Sequence, residues 1–137
     1  MTLTLRIMTP NGVKVETEAE NFTATGLEGE FGILPGHLPF LVALKAGPAS
    51  YRHRGEFYYL SLGDGYAEVF KDEINIFVDS AETPDEIDVE QEREKLQKAE
   101  KALQQKLPVD SPEFRKNKKL LQRAQSKLSV VAKSQRR

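Results

Sequence analysis

Residues 74 to 103 read Ile74-Asn-Ile-Phe-Val-Asp-Ser-Ala-Glu-Thr-Pro-Asp-Glu-Ile-Asp-Val-Glu-Gln-Glu-Arg-Glu-Lys-Leu-Gln-Lys-Ala-Glu-Lys-Ala-Leu103. The hydrophobic period changes inside this stretch. Ile74 to Val78 has the alternation of a strand that buries one face. Beyond Pro84, Val89, Leu96 and Leu103 recur at seven-residue spacing with Ala99 between them, which is one narrow apolar stripe of a helix. Asp88 is placed to cap that helix, with Gln91 three residues on to reciprocate. The chain therefore divides near Pro84 into parts of different architecture.

Upstream the pattern is β throughout. Leu3, Leu5 and Ile7 alternate with polar residues, Pro10-Asn11-Gly12 is a turn, and Val13, Val15 and Thr17 resume at period two. Glu56 to Leu62 is aromatic and strand-prone, and Gly63-Asp64-Gly65 reverses the chain. Tyr66–Phe70 and Ile74–Val78 form a hairpin around Lys71-Asp72-Glu73. Short strands separated by frequent turns predict a β-sandwich or barrel. Downstream, Leu107-Pro-Val-Asp-Ser-Pro112 ends one helix and starts another, with Ser111 as cap and Pro112 in the first helical position. Phe114, Leu121 and Leu128 repeat at seven, with Leu120, Ala124 and Val131 alongside. Glu92, Glu94, Lys95, Lys98 and Lys101 are read on other faces of the first helix. The expected fold is α+β. An antiparallel β-sandwich over residues 1–84 is followed by an antiparallel two-helix hairpin over 85–137. Stripes this thin predict a hairpin that packs weakly and can open.

One segment of the β half fits neither period. Residues 28 to 41 read Glu-Gly-Glu-Phe-Gly-Ile-Leu-Pro-Gly-His-Leu-Pro-Phe-Leu. Gly29, Gly32 and Gly36 have access to backbone angles closed to other residues, and Pro35 and Pro39 fix φ and withdraw two donors. The apolar residues between them anchor a shaped loop on a core. Shaped, anchored loops are where binding surfaces concentrate.

Composition narrows the function classes. The chain has no cysteine, so no disulfide, thiolate nucleophile or cysteine metal site can be built from it, and a reducing, cytoplasmic setting is expected. No apolar run approaches the ~20 residues that span a bilayer, and the amino terminus lacks a signal-peptide pattern. Of the histidines, His53 reads as a strand end or turn and His37 as a contact residue in the loop. Neither glycine cluster, Gly26–Gly29 or Gly63–Gly65, is followed by the Gly-Lys-Ser/Thr of a phosphate loop. No catalytic constellation emerges, and a jelly-roll enzyme would need more convergent metal ligands than these histidines supply. The expectation is a protein with no cofactor, no metal and no catalysis of its own. Charge is asymmetric. Residues 1–84 carry 6 basic against 12 acidic residues, and residues 85–137 carry 14 against 9. The basic end fits an acidic protein surface, with the apolar stripe of its helix laid in a partner groove. The alternative is a β-domain with a basic helical arm for nucleic acid. It is weakened by the absence of aromatics to stack on bases and by the acidic remainder of the chain.

Taken together, three stretches resemble the ε subunit family of F-type ATP synthases, called δ in mitochondria. They are Gly26-Leu-Glu-Gly-Glu-Phe-Gly-Ile-Leu-Pro-Gly-His-Leu-Pro-Phe-Leu41, Leu60-Ser-Leu-Gly-Asp-Gly-Tyr-Ala-Glu-Val69, and Val78-Asp-Ser-Ala-Glu82 leading into Ile87-Asp88. The resemblance covers essentially the whole chain. It implies a non-catalytic part of the rotor, peripheral to the cytoplasmic face of a bacterial plasma membrane, or its plastid equivalent, and held there only through the complex. The sandwich would bind the γ subunit and rest on the c-ring through the loop, with Glu30, His37 and Glu28 as polar contacts. The hairpin would fold on the sandwich or extend into the α/β catalytic head and block hydrolysis. Its basic second helix, through Arg115, Lys118, Lys119 and Arg123, would then meet an acidic segment of the β subunits. No nucleic acid enters this reading.

The resemblance also implies where nucleotide would sit, and the chain departs from the pattern there. Some bacterial members bind ATP through Ile/Leu-Asp-x-x-Arg-Ala. Here Ile87 and Asp88 are kept, but Gln91 replaces the arginine and Glu92 the alanine. A lost cation and a gained anion disfavour a triphosphate. Calorimetric titration of the isolated chain with ATP is expected to show no micromolar affinity.

Overall fold

The computed structural model describes residues 1–36, 39–105 and 108–135, so His37, Leu107, Arg136 and Arg137 of the sequence reading lie outside the described residues. Ten strands form the N-terminal part: β1 (Leu3–Thr9), β2 (Gly12–Ala19), β3 (Asn21–Gly26), β4 (Gly29–Ile33), β5 (Phe40–Leu44), β6 (Gly47–His53), β7 (Glu56–Leu62), β8 (Gly65–Phe70), β9 (Glu73–Val78) and β10 (Ala81–Glu82). A single 3-10 turn at Pro84–Glu86 leads to α1 (Val89–Gln104) and α2 (Pro112–Ser134). The fold is thus a β-sandwich followed by an antiparallel helical hairpin.

The strands run in the order β10-β7-β6-β3-β5-β8-β9-β1-β2, with β4 paired to β3. One layer is β10-β7-β6-β3-β4, and the other is β5-β8-β9-β1-β2. They meet at one ladder pair, Gly26 with Leu44. Every ladder is antiparallel except β1 with β9. Alternate residues point inward from both layers. Leu3, Leu5, Ile7, Phe22, Ile33, Leu60, Val69, Ile74 and Ile76 are all but inaccessible to solvent and form one cluster with smaller neighbours. Burial of this apolar area is the main stabilising term for the sandwich.

Several turns match the sequence reading and others correct it. Lys71 and Asp72, both at positive φ, close the β8–β9 hairpin, and Gly12, at φ +119°, follows the β1–β2 turn. Gly63-Asp64-Gly65 reverses the chain but closes no hairpin: β7 pairs with β6 and β10, whereas β8 pairs with β5 and β9. The turn carries the chain from one layer to the other. The stretch 28–41 contains more strand than its glycines suggested. Gly29–Ile33 is β4, in which Ile33 is buried and Glu30 and Gly32 are exposed, and the described residues 34–36 and 39 are outside any strand. Gly32 takes no left-handed angle, and a methyl group there would make only ordinary contacts with Phe22 and Thr23.

Both helix caps follow the sequence. Asp88 Oδ1 accepts from Gln91 N–H at 3.1 Å and Ser111 Oγ from Phe114 N–H at 3.1 Å, satisfying donors that a helix start leaves open. Helix α2 lies on β6 and β7, and α1 lies on α2. The buried apolar residues Ile87, Ala99, Ala124 and Val130 are not part of the cluster inside the sandwich. The hairpin rests on the outside of a core that is complete without it.

At Gly65 the backbone of a facing strand comes closer than at any other described glycine. A Cβ there would sit 1.8 Å from the Phe77 carbonyl oxygen and 2.8 Å from Val78 Cα, so the facing strand could not stay in register. Gly65→Ala is expected to cost about 3 kcal/mol or more in urea unfolding, against a change near zero for Gly32→Ala.

Candidate functional site

Three surfaces carry the residues that function can use. The first is the end of the sandwich formed by the β3–β4 turn, the loop 34–39 and the β8–β9 turn. Leu27 and Glu28 make the β3–β4 turn between paired Gly26 and Gly29, and Gly29 adopts φ +123°. Gly36, at φ +83°, donates its N–H to Asp72 Oδ1 at 2.6 Å, which ties the loop to the β8–β9 turn. Glu28 and Glu30 are exposed, as are Leu27, Leu34 and Leu41 at 71%, 62% and 69%. Pro35 is half-buried and Pro39 exposed. An open cleft of about 650 Å³ runs beside Glu28, Glu30, Phe31, Phe40 and Val42. Exposed apolar residues rimmed by polar ones are a common composition for docking surfaces. His37, assigned to this surface by the sequence reading, lies outside the described residues.

The second surface is the outer face of β5-β8-β9-β1-β2. Ladder pairing places Ala43 beside Tyr66, Tyr66 beside Phe77, Phe77 beside Met8 and Met8 beside Val13. The rings of Tyr66 and Phe77 lie 5.2 Å apart. This apolar row crosses five strands on the face opposite the core. The sequence reading missed it, because register alone brings these residues together.

The third surface lies between α2 and the sandwich and is mostly polar. Arg123 Nη2 donates to Asp79 Oδ2 at 2.8 Å and to Asp64 Oδ2 at 3.1 Å. Asp64 also accepts the Ala46 N–H at 2.9 Å. Burial pushes the Asp64 carboxyl up, but the Ala46 N–H and Arg123 outweigh it and leave the group below its ordinary range. The hydrogen bond to Asp79 raises the Arg123 guanidinium further. Gly63 makes room for this: a Cβ there would lie 1.7 Å from Asp79 Oδ1. One turn along α2, Lys127 Nζ lies 2.9 Å from Glu82 Oε1 and 3.5 Å from Glu92 Oε1. Burial pulls the Lys127 ammonium down, and the two carboxylates more than restore it. Between the two cations, Ser126 and Ser61 share a buried hydrogen bond of 2.8 Å.

Residues predicted from the sequence fall on both sides of this interface. Arg115, Lys118 and Lys119 are exposed on α2, with Lys118 Nζ 6.0 Å from the Phe114 ring. Arg123, grouped with them by charge, is half-buried and held by the sandwich. Ile87 is buried, Asp88 is engaged in capping, and Gln91 is exposed. Glu92, read as lying on an outer face of α1, is only 4% exposed and pairs with Lys95 and Lys127. It shares the inward face of α1 with Ala99, seven residues on, and that face meets α2. Lys127 was also missed; its signal was the i,i+4 spacing from Arg123. Among the described residues no group of three or more His, Asp or Glu is placed to hold a metal ion.

The family model that matches residues 2–84 is that of the ATP synthase Delta/Epsilon chain, beta-sandwich domain. The chain belongs to this family. It is 42% identical to the ATP synthase epsilon chain of Geotalea daltonii over 135 residues, which is 98% of this chain and 97% of that one. The epsilon chains of Geotalea uraniireducens and Geobacter sulfurreducens are 40% and 38% identical over the same 98% and 97%. The fold is shared with a chain of the Euglena gracilis mitochondrial ATP synthase, solved as OSCP/F1/c-ring, at a TM-score of 0.83 and 20% identity over 96% of this chain and 81% of that one. A chain of the Tetrahymena thermophila mitochondrial ATP synthase central stalk and c-ring matches at a TM-score of 0.60 and 14% identity, over 98% and 96%. As an ATP synthase epsilon chain, the protein is one subunit of a larger complex. No helix among its described residues is long and apolar enough to cross a membrane.

A further ion pair fixes the segment that leads into the hairpin. Lys14 on β2 donates to Glu86 at 2.6 Å, and Thr83 adds two hydrogen bonds to the same carboxyl. The Lys14 hydrogen bond foremost, and those of Thr83 after it, pull the Glu86 carboxyl from 4.5 down to about 2. Because the folded value is the lower one, the contribution to stability is complete above about pH 4.5 and disappears as pH falls toward 2. Glu86→Gln is expected to lower the urea midpoint at pH 6 and to leave it nearer wild type at pH 3.

Proposed function

We propose that this epsilon chain is a non-catalytic part of the rotor and that its hairpin acts as a brake on hydrolysis. The sandwich would rest on the c-ring through the end that carries Glu28, Glu30 and the loop 34–39. It would bind γ along the apolar row from Ala43 to Val13. The division of labour follows the change of architecture, with residues 1–84 for docking and residues 85–137 for regulation. The chain would sit at the cytoplasmic face of a bacterial plasma membrane, or the plastid equivalent, through its partners alone.

The observation that carries this reading is the way the hairpin is attached. Its buried apolar residues stay apart from the core cluster, and it is held by side-chain ion pairs and one serine–serine bond. An element of this kind leaves without unfolding its support. Once extended, Arg115, Lys118 and Lys119 would present a basic face to an acidic segment of the β subunits in the α/β head.

Deletion of residues 88–137 in the assembled enzyme is expected to raise ATP hydrolysis several-fold while coupled synthesis persists. Unchanged hydrolysis would remove the brake from the proposal and leave docking standing. Docking is read separately, by co-purification with γ and by cross-linking from Glu30→Cys to the c-ring. Failure of both would end the rotor assignment.

A further inference from the structure

The cations that would meet an acidic partner are not all available in the folded chain. Arg123 is bonded to Asp64, before β8, and to Asp79, after β9. Lys127 is bonded to Glu82 on β10 and to Glu92 on α1. Four carboxylates from four separate places in the chain converge on two side chains one helical turn apart. The buried residues of α2 are Ala124, Ser126, which is bonded to Ser61, and Val130, none of them larger than valine. Asp64 and Asp79 would repel each other without the guanidinium between them, and Glu92 would be a buried, unpaired anion without Lys95 and Lys127. The cations therefore suit two sets of partners, the carboxylates of their own chain or those of another surface, and cannot serve both at once.

We propose that Arg123 and Lys127 form an exchange clasp: the hairpin is held down by Asp64, Asp79, Glu82 and Glu92, and is released when the carboxylates of an acidic protein surface take their place. The clasp rests on the reading of the hairpin as a releasable element and supplies its mechanism. Its strength depends on salt, because charge pairs that are partly exposed are screened by ions. Its competitor is a protein face dense in Asp and Glu, which offers the same carboxylate chemistry.

The test uses the isolated full chain and amide hydrogen exchange in α2, compared with β9 as an internal reference. Raising NaCl from about 0.05 M to about 0.5 M is expected to speed α2 exchange roughly tenfold and to leave β9 unchanged. Asp79→Asn with Glu82→Gln alters neither helix and is expected to give a similar acceleration at low salt. Lys116→Gln, which removes one charge from the exposed side of α2, is expected to give none. Poly-L-glutamate at low salt is expected to release α2 in the wild type and to add nothing in the double variant. The clasp is overturned if α2 exchange is insensitive to salt and to the double variant, or if Lys116→Gln acts as strongly. Equal effects of poly-L-glutamate on wild type and variant would overturn the exchange step. None of these readouts needs the assembled enzyme, so a brake that failed in the complex and a clasp that failed in the chain would be told apart.

Discussion

One turn of α2, from Arg123 to Lys127, decides how the two halves of this protein meet. The sandwich fills its core with its own inward-pointing residues and takes none from α2. What it offers is carboxylates at the rim where the chain passes between layers. The two long cations reach them, and their stems cover part of the surface on the way. With α2 so placed, α1 packs against α2, and the negative charge of Glu92 finds partners in Lys127 and Lys95. Removing one member of such a set strands the others, so the interface is cooperative although each exposed pair contributes only about 0.5–1 kcal/mol.

The rim depends in turn on glycine. Asp79 lies across Gly63, and β9 passes so close to Gly65 that no side chain fits. The Gly63-Asp64-Gly65 triplet thus serves packing and electrostatics together. Its outer positions let backbone and carboxylate approach, and its middle residue supplies one of the clasping anions. The same economy appears at the far end of the sandwich. There Asp72 turns the β8–β9 hairpin at positive φ and accepts the Gly36 N–H from the exposed loop. The exposed loop is thereby braced by the neighbouring turn.

How much of this was legible beforehand depends on the length scale of the signal. The change of period at Pro84, the caps at Asp88 and Ser111 and the β8–β9 hairpin are local, and all stand in the structure. Strands β3 and β6 were obscured because small residues fill most of their buried positions: Ala24, Gly26, Gly47 and Ala49 pack inward without looking hydrophobic. Glycine likewise hid β4 inside an apparent loop. Ionic partners were illegible for a different reason. Glu92 and Lys127 are 35 residues apart, and nothing near either marks it as inward-facing until α1 and α2 are laid side by side. The apolar row from Ala43 to Val13 is invisible in one dimension, because five strands contribute one residue each. Glu28 and Glu30, singled out by motif, are exposed in the β3–β4 turn and on β4.

The parallel ladder between β1 and β9 bears on how the molecule comes into being. Thr4 pairs with Glu73, so the first strand waits for a partner 69 residues later in the chain. Until then it has β2 on one edge and an open edge on the other. Closing so long a loop is entropically costly before any contact rewards it, and pairings of this kind slow folding. On a ribosome, the sheet cannot be finished before residue 82 has emerged. By contrast, α1 and α2 are neighbours in sequence and need only each other and a finished rim. The order of assembly is therefore built in: the platform closes late as a unit, and the hairpin arrives last, onto a surface that already exists.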